Sequence, residues 1–282
     1  MVTFGRKAWQ AIEPLHGFIY FAPEAQQRFE ALGLSTGAGY FASRSAAMGP
    51  VSAETVIATF FNFNPAFVRR SMTGVWDKVT PEQVLAARLE AADAALRRGL
   101  GDLIGTDAVA ETAALTRKAA EAATQRLEGR PLFAAHAALP WPTEPHLELF
   151  HAQTLLREFR GDGHIAALTT AGLTGLEALV LHAATGYISA KALLTTRQWS
   201  EEQWAATVAA LQERKILEPG EELTFTEEGR AQRQRIEDLT DQLAQPAYAA
   251  LGEDGVNRLV EVGKPLSDAV IEAGLLPFLK KK

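Results

Sequence analysis

The side chains best suited to chemistry lie along one stretch, His151-Ala152-Gln153 followed by Arg157-Glu158-Phe159-Arg160-Gly161-Asp162-Gly163-His164. A helix that only fills a core has no need of a histidine, a glutamine and two arginines ending at a Gly-Asp-Gly-His sequence. Asp162 and His164 flank a single glycine. The carboxylate is therefore placed to orient the imidazole as a general acid or base, or to cap a helix starting near His164. Arg157 and Arg160 stand one turn apart, a spacing that clamps a carboxylate or phosphate. The plainer alternative makes Asp162 a cap only and has the arginines neutralise acidic helix ends. A second group, Tyr20, Tyr40, Arg44 and Asn62, brings hydrogen-bonding groups into the aromatic surroundings of Tyr20-Phe21, Tyr40-Phe41 and Phe60-Phe61-Asn62-Phe63. Apolar walls with a few placed polar groups are the makeup of a small-molecule pocket. Asn64, directly before Pro65, reads more simply as a helix cap.

Other chemistries find no support. Cysteine is absent, which removes disulfides, thiolate nucleophiles and cysteine-based zinc sites together. Glu148 and His151 have Glu-x-x-His spacing, but a helical di-metal centre needs that motif twice. The six histidines form no ligand-spaced cluster, and no serine-hydrolase elbow, phosphate loop or dinucleotide fingerprint occurs. The expectation is no metal and no cofactor.

The elements that must position these groups read almost throughout as helices. Thr80-Pro81-Glu82-Gln83 is a capping box with proline in the first turn, and Val84, Leu85, Leu89, Ala92 and Leu96 follow at helical spacing. A second alanine-rich helix covers about Asp107 to Leu127. The proline-rich Leu139–Pro145 stretch is the clearest boundary. Beyond it a helix is expected from about Glu144 to Arg160, breaking at Gly161-Asp162-Gly163. Lys280-Lys281-Lys282 reads as a frayed end.

From Leu173 to Leu243 the pattern is more specific. Leu173–Leu181 supplies a first helix and Ser189 caps a second. Trp199-Ser200-Glu201-Glu202 opens a third, with Trp204, Val208 and Leu211 facing inward. Ile216-Leu217 and Leu223-Thr224-Phe225 are expected as two strands of a wing. Thr226-Glu227-Glu228-Gly229-Arg230 then leads into a long helix carrying Ile236, Leu239 and Leu243. This order and spacing resembles the winged helix-turn-helix of the multidrug-resistance-regulator (MarR) family. The whole chain is similar to a group of actinobacterial winged-helix proteins through Leu15-His16-Gly17, Tyr20–Glu24, Asn62–Pro65 and Arg160–His164. The fold expected is thus mainly α, with a helical domain over 1–143 holding a ligand pocket. A winged helix with a small two-stranded wing follows over 144–245, and a C-terminal helical extension over 246–282.

The resemblance implies a regulator, but the charge argues against direct DNA readout. In a helix-turn-helix reader the third helix meets the major groove with its N-terminal end, which here carries Glu201 and Glu202. The wing tip is Glu218-Pro219-Gly220-Glu221-Glu222 in place of the family's arginines. The whole chain of 282 residues carries a net charge of −6, whereas phosphate contact draws its affinity from basic surfaces. With 47% hydrophobic and 22% charged residues the chain has a globular balance. No apolar run long enough for a membrane helix and no leader sequence are evident, so a cytoplasmic protein without a membrane partner is expected. The leading reading is a sensor for an anionic or carbonyl-bearing small molecule, its pocket lying between the N-terminal half and the Arg157–His164 turn. The alternative is an enzyme without a redox cofactor, with His164 and Asp162 as catalytic groups. A purely structural interaction protein that forms a homodimer through the terminal helices is the third.

Overall fold

Helix signals are realised nearly everywhere in residues 4–277, the residues that the computed structural model describes; Lys280–Lys282 lie outside them. The chain opens with α1 (Phe4–Ile12), α2 (Pro14–Gly17), α3 (Pro23–Ala31), α4 (Thr36–Ser45), α5 (Ala53–Phe60), α6 (Pro65–Met72) and α7 (Val75–Lys78). Then come α8 (Pro81–Leu100), α9 (Asp107–Ala123), α10 (Pro131–Ala137), α11 (Pro145–Thr170), α12 (Gly175–Ala183), α13 (Ala190–Arg197) and α14 (Glu201–Glu213). The long α15 (Glu227–Ala249) and α16 (Gly252–Glu272) complete the fold, which is mainly α. Side-chain caps start many of these helices. Ser35, Ser52, Asn64, Thr80, Thr174, Ser189 and Ser200 each accept a backbone N–H from the first turn, satisfying donors that the helix itself leaves unpaired.

Contacts divide the chain into two units. The first gathers the residues up to Val51, Gly74–Asp162 and those from Asp241 onward. Here α16 packs against α1, α8 and α9. Small residues set these approaches: a Cβ on Gly263 of α16 would lie 2.7 Å from Ile12 Cγ2. The fully enclosed side chains include Leu15, Phe18, Phe41, Phe133, Leu155 and Phe159.

The second unit comprises Ser52–Thr73 and Gly163–Thr240. Its core holds Leu179, Leu193, Trp204, Leu211, Phe225 and Ile236, with Trp199 and Val208 half-buried against them. The three inward positions expected for α14 thus do face the core. The α5–α6 pair belongs to this unit and meets the start of α12 so closely that only glycine fits at position 175. A Cβ there would lie 2.0 Å from the Phe61 carbonyl oxygen.

Two expectations are overturned. The two-stranded wing does not form: among the described residues no strand occurs, and Leu217 and Phe225 share one isolated antiparallel bridge. Its physical cause is local. Gln212 Nε2 donates to the carbonyls of Glu218 (3.1 Å) and Gly220 (2.9 Å), acceptors that an extended ladder would need. Pro219 brings no N–H, and Gly220 turns the chain at φ 133°. The break at Gly161-Asp162-Gly163 does not occur either, because α11 runs through it from Pro145 to Thr170. Glycine inside a helix costs only about 1 kcal/mol, and the buried Leu155, Leu156 and Phe159 before it and Ala167 and Leu168 after it hold the helix in place.

Candidate functional site

The first unit encloses an unusual amount of polar chemistry. His16 of α2 is 0% exposed and Arg88 of α8 is 5% exposed, with His136, His151, Gln153 and Glu158 also buried. On α11, Phe150, Gln153 and Arg157 follow at three- and four-residue steps and so share one face. Phe150 stacks on the His16 ring at 5.5 Å and 9°, and the Arg157 guanidinium lies 5.2 Å from the Tyr20 ring centre. Gln153 therefore stands between the His16 and Tyr20 contacts. Tyr20 in turn meets His16 edge-on at 5.5 Å and Tyr40 at 5.5 Å.

Charges are partly matched within this group. Arg44 donates to the Tyr40 hydroxyl at 3.0 Å and to Glu158 at 3.3 Å, and Arg157 pairs with Glu13. Arg88 has no carboxylate in hydrogen-bonding range among the described residues; its Nη2 lies 3.1 Å from His16 Nε2. Several enclosed polar atoms have no hydrogen-bond partner among the described residues: His16 Nδ1, Arg88 Nη1, Tyr20 Oη, His151 Nε2 and Gln153 Nε2. Such atoms are rare in folded proteins, since each costs about 1–3 kcal/mol. Burial, reinforced by the nearby Arg88 charge, pushes the imidazoles of His136 and His151 down to about 4 and His16 well below its ordinary value. Burial also lifts the Tyr20 hydroxyl to about 12. All four are neutral near pH 7. Glu158 is held below the usual carboxylate range: burial opposes its ionisation, but the Arg44 guanidinium prevails.

The residues singled out by sequence are thus partly assembled. Tyr20, Tyr40, Arg44, His151, Gln153 and Arg157 lie in or beside this cluster. Arg160 does not, for it pairs with Asp241 at 2.8 Å and covers the Trp9 ring at 4.8 Å. Asp162 accepts the Phe133 N–H at 3.0 Å and so caps the start of α10 instead of its own helix; burial raises its carboxyl to about 6. His164, in the second unit, places Nδ1 2.9 Å from Thr240 Oγ1. Thr240 spends its own proton on the Ile236 carbonyl at 2.7 Å, so His164 is the donor. Asp162 and His164 are therefore each committed to a different partner. Asn62, also in the second unit, accepts the Trp199 indole N–H on its backbone carbonyl at 2.9 Å. Sequence reasoning missed His16, Arg88, His136 and Glu158. The signal for Arg88 was present: it falls in the series Val84, Arg88, Ala91, Ala95, an apolar stripe with one cation in it.

The second unit presents a different surface. On α14 the exposed positions are Glu201, Glu202, Gln203, Ala205, Ala206, Ala209 and Glu213. Only Gln203 among them can donate a hydrogen bond, and its Oε1 already accepts the Ser200 N–H at 3.2 Å. Glu218, Glu221 and Glu222 are exposed in the loop that follows. The α5–α6 segment meets the turn before α14: Asn64 N–H donates to the Arg197 carbonyl at 3.0 Å and Arg70 to Gln198 at 3.0 Å. Among the described residues, no single helix is long and apolar enough to cross a membrane. The sequence profile of the helix-turn-helix family matches residues 5–277. No curated protein and no solved structure matches the chain.

Proposed function

Since the chain belongs to the helix-turn-helix family, we propose that it is a regulator-like protein governed by a small molecule, which binds in the polar cluster of the first unit. The observation that carries this is the set of enclosed polar atoms on His16, Arg88, Gln153 and Tyr20 that meet no hydrogen-bond partner among the described residues. A fold gains nothing by burying such groups, whereas a ligand that supplies their partners converts the cost into affinity and selectivity. The helix-turn-helix itself does not read duplex sequence in this proposal. The outward face of α14 carries three glutamates, three alanines and one glutamine, which offer no phosphate neutralisation and, Gln203 apart, no base-edge donors. The pairing of Asp162 with His164 that acid–base catalysis would need has no support, since each is committed elsewhere.

Native mass spectrometry of the full chain as purified tests the ligand half. The expected result is an added small-molecule mass that disappears on unfolding; a bare mass, together with no response to any small molecule, refutes it. Selection from a pool of random duplexes at moderate salt tests the other half. The pool is expected to return no preferred sequence. A reproducible palindrome bound at nanomolar strength refutes this half and would turn attention to Arg230, Arg233 and Arg235.

A further inference from the structure

The chemistry around Arg88 is specific enough to name a ligand class, on the premise that the cluster described above is a ligand site. A guanidinium is a permanent cation with donors only. Because it cannot accept, His16 Nε2, 3.1 Å from Arg88 Nη2, must offer its lone pair. The neutral imidazole then carries its proton on Nδ1. That N–H and Arg88 Nη1 are both enclosed donors without an acceptor among the described residues. Both groups are held over the same ring: His16 stacks on Phe150 at 5.5 Å and the Arg88 guanidinium lies 5.3 Å from its centre. Gln153 adds a further donor, Nε2, also without a partner, from the helix face that carries Phe150.

The charge can be counted as well. Arg44 and Arg157 each have a carboxylate, Glu158 and Glu13, whereas Arg88 has none in hydrogen-bonding range among the described residues. This leaves the charge of Arg88 over. One negative charge on the ligand balances it; two would leave a surplus anion enclosed, which is costly. A guanidinium N–H forms its strong, charge-assisted bonds with the oxygens of a carboxylate.

We propose that Arg88 receives the carboxylate of a small monoanionic ligand, with the His16 Nδ1–H and Gln153 donating to further acceptors on the same molecule. Neutrality of His16 is part of the arrangement, and burial keeps it neutral well below pH 7. Carboxylate capture is therefore unchanged between pH 6 and pH 9, which is about the interval between the titration ranges of a free carboxylate and a lysine or tyrosine.

Acetate and acetamide, alike in shape and different in charge, are the probes. Saturation transfer from the full-length protein to the probe methyl is measured by NMR at constant ionic strength. The expected result is saturable transfer to acetate, at least about tenfold weaker transfer to acetamide, and loss of the difference in Arg88→Met. His16→Phe keeps the stack on Phe150 but removes the Nε2 acceptor that holds Arg88 as well as the Nδ1–H donor, and it weakens acetate binding. Equal transfer to both probes overturns the carboxylate assignment, as does transfer to neither. Undiminished acetate binding by folded Arg88→Met overturns the role of Arg88. The mass of a co-purifying molecule decides separately whether the cluster is a ligand site at all: a bound but uncharged molecule refutes this inference and leaves the site standing.

Discussion

The interiors of the two units contrast. The second is filled by Leu, Ile, Trp and Phe side chains, and it encloses fewer polar atoms without a hydrogen-bond partner among the described residues, Gln232 Oε1 being one. Glu177 completes the cap at Thr174 and pairs with Arg214, and Thr240 donates to the Ile236 carbonyl. The first unit has an equally apolar frame but encloses an arginine, four imidazoles and an amide, several of them with unmet hydrogen-bonding capacity. Apolar burial is where a small fold obtains its stability, so the second interior is explained by folding alone. The first is not, and the groups that folding does not explain are those to which function is assigned.

Three substitutions or conditions sharpen the contrast, taken from the largest effect. Trp204→Ala removes the aromatic centre of the second core and is expected to cost roughly 3–5 kcal/mol in urea unfolding. An unchanged midpoint would mean that α14 does not depend on that core.

Acidification comes next and acts on the first unit. His136 and His151 have folded pKa values of about 4, against an unfolded value near 6.5. Between these limits the unfolded chain binds more protons, so stability is full above about pH 6.5 and is lost as pH falls toward 4. Each imidazole contributes on the order of 3 kcal/mol over that window. Asp162 acts in the opposite sense. Its folded value of about 6 exceeds the unfolded one, so its contribution is greatest at low pH and is lost as pH rises through 6, offsetting part of the imidazole effect. The net expectation is a fall in stability from pH 6.5 to pH 4, read as the unfolding free energy across a pH series. His136→Gln should flatten the slope; an unaltered slope would remove that residue from the explanation.

The smallest effect returns to the second unit. Ser200 caps α14 through the Gln203 N–H at 3.1 Å, and Ser200→Ala should cost about 1 kcal/mol. Because the exposed face of α14 touches no ligand in this account, the variant should leave acetate binding unaltered.

Local signals were legible in the sequence wherever one turn of chain decides the outcome. The Thr80–Gln83 box and the Ser200 cap form as their residue types require, and Trp204, Leu211 and Ile236 meet in one core. The wing was misread because a side chain outside it, Gln212, takes the carbonyls that strands would share. Gly161-Asp162-Gly163 was misread because glycine spacing suggests a break, while the apolar residues on either side keep the helix whole. Half of the site was visible as polar residues in aromatic surroundings. Arg88 and His16 were not, since each sits among apolar neighbours and acquires its meaning only from a partner 72 positions away. The attachment of residues 52–73 to the second unit depends on contacts such as Trp199 to Asn62, which lie 137 positions apart, and local spacing carries no trace of them.

The claim that the first unit holds its polar groups for binding and not for folding is tested most directly by equilibrium unfolding of Arg88→Met without added ligand. A buried guanidinium lacking a carboxylate partner is a cost to the fold, and an apolar side chain of similar length relieves it. The account predicts that Arg88→Met unfolds at the same urea concentration as the parent protein or a higher one. A clearly lower midpoint, with the variant folded at the outset, would show that Arg88 holds the structure together and would contradict the account.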